Sequence, residues 1–364
     1  MAFWLAGRLR SVIFRDGFLF LLRIFSIYAT GSNRLNMQKI DIVIAWVDGS
    51  DRAWARRRAK YHFGKEKSDG TDATRFASDN EIYFCIASIL KYVPFCGTIF
   101  LVTDRQKPKF IDEFHEQGLC AKEKIKIVDH SEIFSGYEHG YPSFNSLSIE
   151  SLIWRINGLS RYFIYLNDDF FFNASAKPED FLLGDQIVVC GHWVNSAFIK
   201  IKLGFKRFLR KIFAIQPKAG HTVSQMLAAN LFGFNTFFKV HHYPHIMDIN
   251  IFRNFFKDYP EILEKQVSYR FRDIEQINPV SLAVHAKIKN KEALLCPDPS
   301  IAYLKNSKGV DDFVSSVENE KINYGCIQSL DQFSEYEKEK IFFAMKKKFK
   351  IYLPESIFRN NFEN

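Results

Sequence analysis

Tyr162-Phe163-Ile164-Tyr165-Leu166-Asn167-Asp168-Asp169 is a short apolar run stopped by an amide and two carboxylates. Apolar at every position and bounded by a polar turn, it has the pattern of a strand covered on both faces, as in a parallel sheet. The pattern recurs upstream. Ile40-Asp41-Ile42-Val43-Ile44-Ala45-Trp46-Val47 ends in Asp48-Gly49-Ser50-Asp51, Thr98-Ile99-Phe100-Leu101-Val102-Thr103 ends at Asp104, and Lys126-Ile127-Val128 ends at Asp129-His130. Between these strands, 81–92 and 148–158 carry apolar residues on one helical face. Alternating strands and helices predict an α/β fold, a mostly parallel Rossmann-like sheet with helices on both faces and right-handed crossovers. Ligands of such sheets bind beyond the carboxyl ends of the strands, where all four acidic turns lie. Further helical patterns cover 246–259 and 273–287, and the last fifty residues read as a charged, helical C-terminal part.

The chain has 364 residues, enough for two domains or one large α/β domain with insertions. Hydrophobic residues at 47% and charged residues at 25% exclude wholesale disorder and a polytopic membrane protein. The net charge of +9 favours anionic partners without choosing among phosphates, acidic glycans, acidic lipid and nucleic acid. Cys85, Cys96, Cys120, Cys190, Cys296 and Cys326 show no zinc-ribbon or redox spacing and read as free thiols in a reducing compartment.

Residues 1–37 form a basic amphipathic segment before a single domain at 38–364. Its apolar stretch at 17–29 is broken by Arg23 and is shorter than the roughly 20 residues that cross a bilayer. Ala29-Thr30-Gly31-Ser32 imitates a signal-peptide cleavage site, but the cysteine pattern argues against export. With Arg8, Arg10 and Arg15 among apolar residues, the segment suits a helix on anionic lipid or one docked on the protein itself. A second basic and apolar excursion occupies 198–220, to be read either as a grip on a polyanion or membrane or as a solvated helix with snorkelling lysines. The helical C-terminal block spans 320–364.

P-loop, dinucleotide, serine-hydrolase and zincin motifs are all missing from the sequence, which leaves carboxylate and histidine chemistry. Asn167-Asp168-Asp169 puts adjacent carboxylates at the ligand edge. They either hold Mg²⁺ or Mn²⁺ against a diphosphate or serve as a helix cap and an exposed acid. Asp48-Gly49-Ser50-Asp51 suits helix capping by Asp51, or a nucleotide seat with Trp46 or Trp54 as a flat neighbour. Arg52, Arg56, Arg57, Arg58 and Lys60 form either a phosphate-facing helix or a solvated face. In His241-His242-Tyr243-Pro244-His245, three imidazoles fall within five residues. No local carboxylate or thiol completes a metal spacing, so a general base suits them better. Arg270 and Arg272 either clamp phosphate or pair with Asp273 and Glu275.

Taken together, these segments resemble the Stealth family of bacterial capsular polysaccharide phosphotransferases and the eukaryotic N-acetylglucosamine phosphotransferase. Four blocks carry the resemblance. The first is 40–51 with Trp54. The second runs from Arg75-Phe76 and Asp79-Asn80-Glu81, through Thr103-Asp104-Arg105 and Phe144-Asn145-Ser146, to Asn167-Asp168-Asp169. The third holds His242-Tyr243-Pro244-His245, Tyr269-Arg270-Phe271-Arg272 and Glu275, and the fourth Cys326-Ile327-Gln328-Ser329 with Pro354-Glu355-Ser356-Ile357-Phe358. Departures from the family pattern fall at Ala77-Ser78, at Gln276 and after Phe358.

The resemblance implies a glycosyltransferase-A-like sheet. It also implies transfer of a sugar 1-phosphate from a nucleotide diphosphate sugar, such as a UDP-N-acetylhexosamine, to a glycan hydroxyl, releasing a nucleoside monophosphate. It assigns His242 as base with His245 as partner, Arg272 to the transferred phosphate, and Asp168 and Asp169 to Mg²⁺ (or Mn²⁺). Asp48, Gly49, Arg75, Asn145, Asn167 and Glu275 would contact substrate. It further implies bacterial capsule or surface-polysaccharide synthesis in the cytoplasm, peripheral to the inner membrane, in contact with membrane or capsule assembly proteins and not with nucleic acid. The rival reading is a metal-dependent glycosyltransferase that releases a nucleoside diphosphate.

Overall fold

Asp41, the single charged residue in the first apolar run, explains how the central sheet is tied together. Its Oδ1 accepts from the Thr98 amide (2.7 Å) and its Oδ2 from the Ser160 amide (2.8 Å), joining the starts of three strands. Gly97 lies so close that a Cβ there would sit 2.2 Å from Asp41 Oδ1. In this computed structural model, residues 39–61, 79–213 and 217–359 are described. The strands are β1 (Ile40–Ala45), β2 (Cys96–Thr103), β3 (Ile125–Asp129) and β4 (Tyr162–Asn167), parallel in the spatial order β4-β1-β2-β3. The predicted mixed α/β architecture with a mostly parallel sheet is what forms. β1, β4 and most of β2 are buried, so their continuous apolar runs reflect cover on both faces, while β3, at the sheet edge, is half exposed.

Helix α1 (Arg52–Tyr61) follows β1, with Asp51 as its cap: the Asp51 carboxylate accepts from the Trp54 amide at 2.6 Å. Helix α2 (Glu81–Tyr92) keeps the predicted bounds and is buried along nearly its whole length. The pattern at 148–158 does not become one helix. Only α3 (Ser146–Glu150) forms, followed by a single 3-10 turn at Ile153–Arg155. Ser148 Oγ binds the Gln266 and Tyr269 carbonyls, and the Ser151 carbonyl is taken by the Trp154 indole, so side chains compete with the helical ladder.

After β4 the chain turns through Asp168-Asp169 into β5 (Phe170–Phe172), which leaves the central sheet for a second one. Strands β6 (Leu182–Leu183), β7 (Gln186–Cys190) and β8 (His192–Asn195) precede helices α4 (Ala197–Phe213) and α5 (His221–Asn230) and strand β9 (Thr236–Lys239). The predicted helix at 246–259 begins instead as β10 (His245–Asp248), antiparallel to β4 with His245 opposite Tyr165. The free edge of β4 recruits this segment, and Asp248 then caps α6 (Ile249–Asp258) by accepting from the Asn250 amide at 2.9 Å. The predicted helix at 273–287 starts late, as α7 (Pro279–Lys289), because Asn278 caps it and Pro279 opens it. Strands β11 (Ala293–Cys296), β12 (Ile301–Leu304) and β13 (Tyr324–Ile327) complete two three-stranded sheets, β11-β7-β6 and β12-β13-β5. The C-terminal block is therefore not purely helical. It contributes β13 before helix α8 (Glu335–Phe349), whose Phe342 packs 5.6 Å from Phe84 of α2. Among the described residues no helix is long and apolar enough to cross a membrane. The sequence expectations for residues 1–37 lie outside the described residues.

Candidate active site

Because β10 runs antiparallel to β4, the histidine-rich loop before it arrives at the carboxyl edge of the parallel strands, beside Asn167. There a cleft is lined by Glu150, Tyr165, Asn167, Phe170, His221, His242, His245 and Arg272, among others. Three segments far apart in sequence thus bring four of the expected residues together: Asn167, His242, His245 and Arg272.

His242 is solvent-accessible as a residue while its ring reaches into the cleft and stacks 4.5 Å from the His221 ring. The enclosing cleft walls, then the Arg272 guanidinium, push its imidazole down to about 4, so it is neutral at pH 7. His245 donates from Nε2 to the His241 carbonyl at 2.9 Å, and burial holds it down at about 3. Burial and the neighbouring His242 also keep His221 neutral. Its Nδ1 accepts from Gln225 Nε2 at 3.0 Å, which leaves the proton on Nε2. Tyr165 donates to Asn167 Oδ1 at 2.9 Å and orients that amide. Arg272 donates to Ser146 Oγ at 2.6 Å.

Asp168 and Asp169 stand beside this cleft and not in its wall, which passes from Asn167 to Phe170. Burial, then the Asp169 and Glu81 carboxylates, pushes Asp168 well above the usual carboxylate range. Burial also raises Asp169 to about 6 and Glu81 to about 8. Asp169 Oδ1 is buried with no hydrogen-bond partner, while Oδ2 accepts weakly from the Cys326 thiol at 3.6 Å. Adjacent, crowded carboxylates of one sign, one with an orphaned oxygen, fit a hard divalent cation such as Mg²⁺ or Mn²⁺.

The other three acidic turns are consumed by structure. Asp104 is fully buried and takes Arg57 at 3.1 Å and the Tyr141 hydroxyl at 3.3 Å. Asp129 closes a capping box on the helical turn that follows it. Asp48 accepts from the Ser50 amide and hydroxyl, while its backbone is pinned by Gln106 at both ends. Asp48 and Gly49 therefore lie in a turn outside the cleft lining, and Trp46 and Trp54 are buried, so neither indole offers a flat face to a ligand. Arg270 reaches backbone instead of Asp273 or Glu275, donating to the Pro142 and His139 carbonyls at 2.8 Å.

Asn145 is wholly buried. Its amide donates to the Tyr269 carbonyl (2.9 Å) and to Gln276 Oε1 (2.8 Å), so it positions the segment bearing Arg272 and does not reach the cleft. Gln276, one of the departures from the family pattern, both accepts from Asn145 and donates to Ser148 Oγ, which a carboxylate could not do. Glu275 pairs with Arg207 of α4 through both oxygens, away from the cleft lining. Arg75 lies outside the described residues.

Glu81, Glu150 and His221 were not singled out for roles by sequence reasoning. Glu81 sits in the quoted Asp79-Asn80-Glu81 run and opens the helical pattern at 81–92. Glu150 and His221 carry no local pattern at all.

Residues 38–66 match Stealth protein CR1, conserved region 1, and residues 75–189 match Stealth protein CR2, conserved region 2. A capsular polysaccharide phosphotransferase of Actinobacillus pleuropneumoniae is 38% identical over 158 residues, 43% of this chain and 41% of that protein. An exopolysaccharide phosphotransferase of Streptomyces coelicolor is 30% identical over 265 residues, 73% of this chain and 42% of that protein. The chain thus spans about two fifths of the length of the curated relatives it matches. The apo structure of the bifunctional glycosyltransferase WbbM aligns at a TM-score of 0.43 and 11% identity, over 88% of this chain and 52% of that one. By its two conserved regions, in order and covering the first and fourth strand ends, the chain belongs to the Stealth protein family.

Proposed function

We propose that the protein transfers a hexose or N-acetylhexosamine 1-phosphate from a nucleotide diphosphate sugar to a glycan hydroxyl in capsule or surface-polysaccharide synthesis. The observation that carries this is the juxtaposition of a neutral, accessible His242, an Arg272 guanidinium and the crowded Asp168–Asp169 pair at one sheet edge. In the reaction the acceptor oxygen bonds to the sugar-side phosphorus and the bond from that phosphorus to the bridging oxygen breaks. A phosphodiester forms and a nucleoside monophosphate leaves. His242 takes the acceptor's proton, which a neutral imidazole can do at pH 7. Arg272 stabilises charge on the transferred phosphate. Asn167 orients the donor or acceptor, its amide being fixed by Tyr165. Asp168 and Asp169 would hold Mg²⁺, which when bound supplies neutralisation of the diphosphate. The relatives' names as capsular and exopolysaccharide phosphotransferases support the same reading.

Incubation with Mg²⁺, UDP-N-acetylhexosamines and a glycan acceptor should release UMP, identified by chromatography. Release of UDP would overturn the phosphotransfer reading in favour of a glycosyltransferase.

The reading places the enzyme in the bacterial cytoplasm at the inner membrane, and α4 supplies the contact. Phe198, Ile201, Phe205, Phe208 and Ile212 recur at steps of three and four and are 54–75% exposed. The opposite side faces the protein: Leu203 enters a small core with Met226 and Phe237, Arg210 pairs with Asp273 at 2.9 Å, and Arg207 pairs with Glu275. A helix with its apolar face outward and exposed Lys200, Lys202 and Lys211 beside it matches an anionic bilayer surface. The segment 1–37 is itself cationic and complements those lysines poorly.

Vesicles rich in phosphatidylglycerol should co-sediment with the protein, and those of phosphatidylcholine should bind less. Phe205→Asp with Phe208→Asp should weaken binding about a hundredfold, from the burial of two phenyl rings. Equal binding by the double variant would exclude this face.

A further inference from the structure

Away from the cleft, strand pairing assembles a second cluster. In the parallel pair β7 and β11, Cys190 lies opposite Cys296, so the residues two positions on, His192 and Asp298, emerge at the same end. In the antiparallel pair β8 and β9, His192 lies opposite Lys239, which brings in His241 two positions beyond. His192 Nδ1 stands 2.7 Å from Asp298 Oδ2, and His241 Nε2 is 3.7 Å from Asp298 Oδ1. The two imidazole rings are 5.3 Å apart. One donor atom from each of the three residues lies within 4.8 Å of the others, and among the described residues this is the one such group of histidine, cysteine or carboxylate donors.

We propose that His192, His241 and Asp298 bind a d-block divalent cation of the zinc type. Two imidazoles and a carboxylate are a borderline-soft donor set that such ions prefer, whereas Mg²⁺ prefers oxygen alone. Zinc–ligand bonds of about 2.0–2.2 Å put neighbouring donors roughly 3.3–3.5 Å apart in a tetrahedron, so only small side-chain rotations close the site. The side chains are 36–45% exposed, which leaves a fourth position to water and an open entry path. The carboxylate that no local spacing around 241–245 supplies comes from Asp298, at the end of β11.

The site bears on the cleft through the backbone. The His241 carbonyl accepts from His245 Nε2, and His242 is the next residue, so an ion on His241 fixes the loop that presents both imidazoles.

The inference does not rest on the transferase reading and is tested by binding. The full chain is stripped with chelator, exchanged into excess Mg²⁺ to occupy all-oxygen sites, and titrated with Zn²⁺ by calorimetry. One ion per chain should bind with a Kd on the order of micromolar or tighter, and Zn²⁺ should raise the melting temperature. Asp298→Asn and His192→Ala should each weaken binding about tenfold or more. Their melting in chelator should match the parent's, since both side chains are exposed. His139→Ala, which removes a surface histidine paired with Glu264 at 3.2 Å, should bind as the parent does. Absence of saturable binding, or unchanged affinity in both Asp298→Asn and His192→Ala, overturns the site. Tetrahedral Co²⁺ absorption, present in the parent and lost in Asp298→Asn, gives a second readout.

Discussion

Replacing His242 by alanine should lower kcat by about 10²- to 10⁴-fold, the range expected for loss of a positioned acid–base group. Equilibrium binding of the nucleotide sugar should change little. The separation of effects follows from the cleft: Arg272 and the Asp168–Asp169 pair remain in place, while the proton acceptor goes. A large loss of donor affinity instead would make His242 a ligand to the donor. The pH dependence gives an independent check. A base works only when unprotonated, so its contribution is lost as pH falls through its folded value. For His242 that value is about 4, below the ordinary 6.5, because of its enclosure and Arg272. At saturating Mg²⁺, kcat/KM should therefore hold level from about pH 8 to about pH 6. An acid limb centred at the ordinary histidine value would contradict the assignment.

Asp169→Asn should abolish most activity and at the same time stabilise the protein at pH 8. The carboxyl is raised from 3.8 to about 6 by burial, so its ionised form is less favourable folded than unfolded. For an acid shifted upward, the folded state is penalised above the folded value and relieved as pH falls through it. Removing the charge should thus add about 1–3 kcal/mol in metal-free buffer at pH 8, with the gain vanishing below about pH 4. Thermal or urea unfolding of both proteins across that range measures it. Mg²⁺ should close the gap by stabilising the parent more than the variant, and its binding at pH 7 should release protons from Asp168 and Glu81, whose carboxyls are also raised. A variant less stable than the parent at pH 8 would mean that Asp169 is a structural cap. Stabilisation with loss of activity is the signature of a charge kept for function.

The two effects come from residues of different legibility. Asp168 and Asp169 end an apolar run, and strand ends in a parallel sheet are ligand edges, so their position follows from local pattern alone. Asp48, Asp104 and Asp129 share that pattern, yet each carboxylate is already engaged: Asp48 by the Ser50 amide and hydroxyl, Asp104 by Arg57 and Tyr141, and Asp129 by its capping box. Which acidic turn is left uncompensated depends in part on side chains up to 47 positions away, such as Arg57 against Asp104. Asn145 illustrates the converse. It lies in a quoted block, but burial and two long-range hydrogen bonds make it a brace for the Arg272 segment.

By itself the sequence determined the period of its elements: four strands of the parallel sheet, the α2 helix at Glu81–Tyr92, the Asp51 cap and the free thiols. These depend on steric and hydrophobic preferences that act over a few residues. Only the tertiary structure decided that Ile246-Met247 would pair as a strand, because the partner that takes up their backbone hydrogen bonds, the edge of β4, lies some eighty residues away in sequence. That pairing carries the histidine loop to the carboxyl edge, puts His221 against His242, and through β8 and β9 sets His192 beside His241. Proximity between residues distant in sequence is a property of strand register, and no local periodicity encodes it.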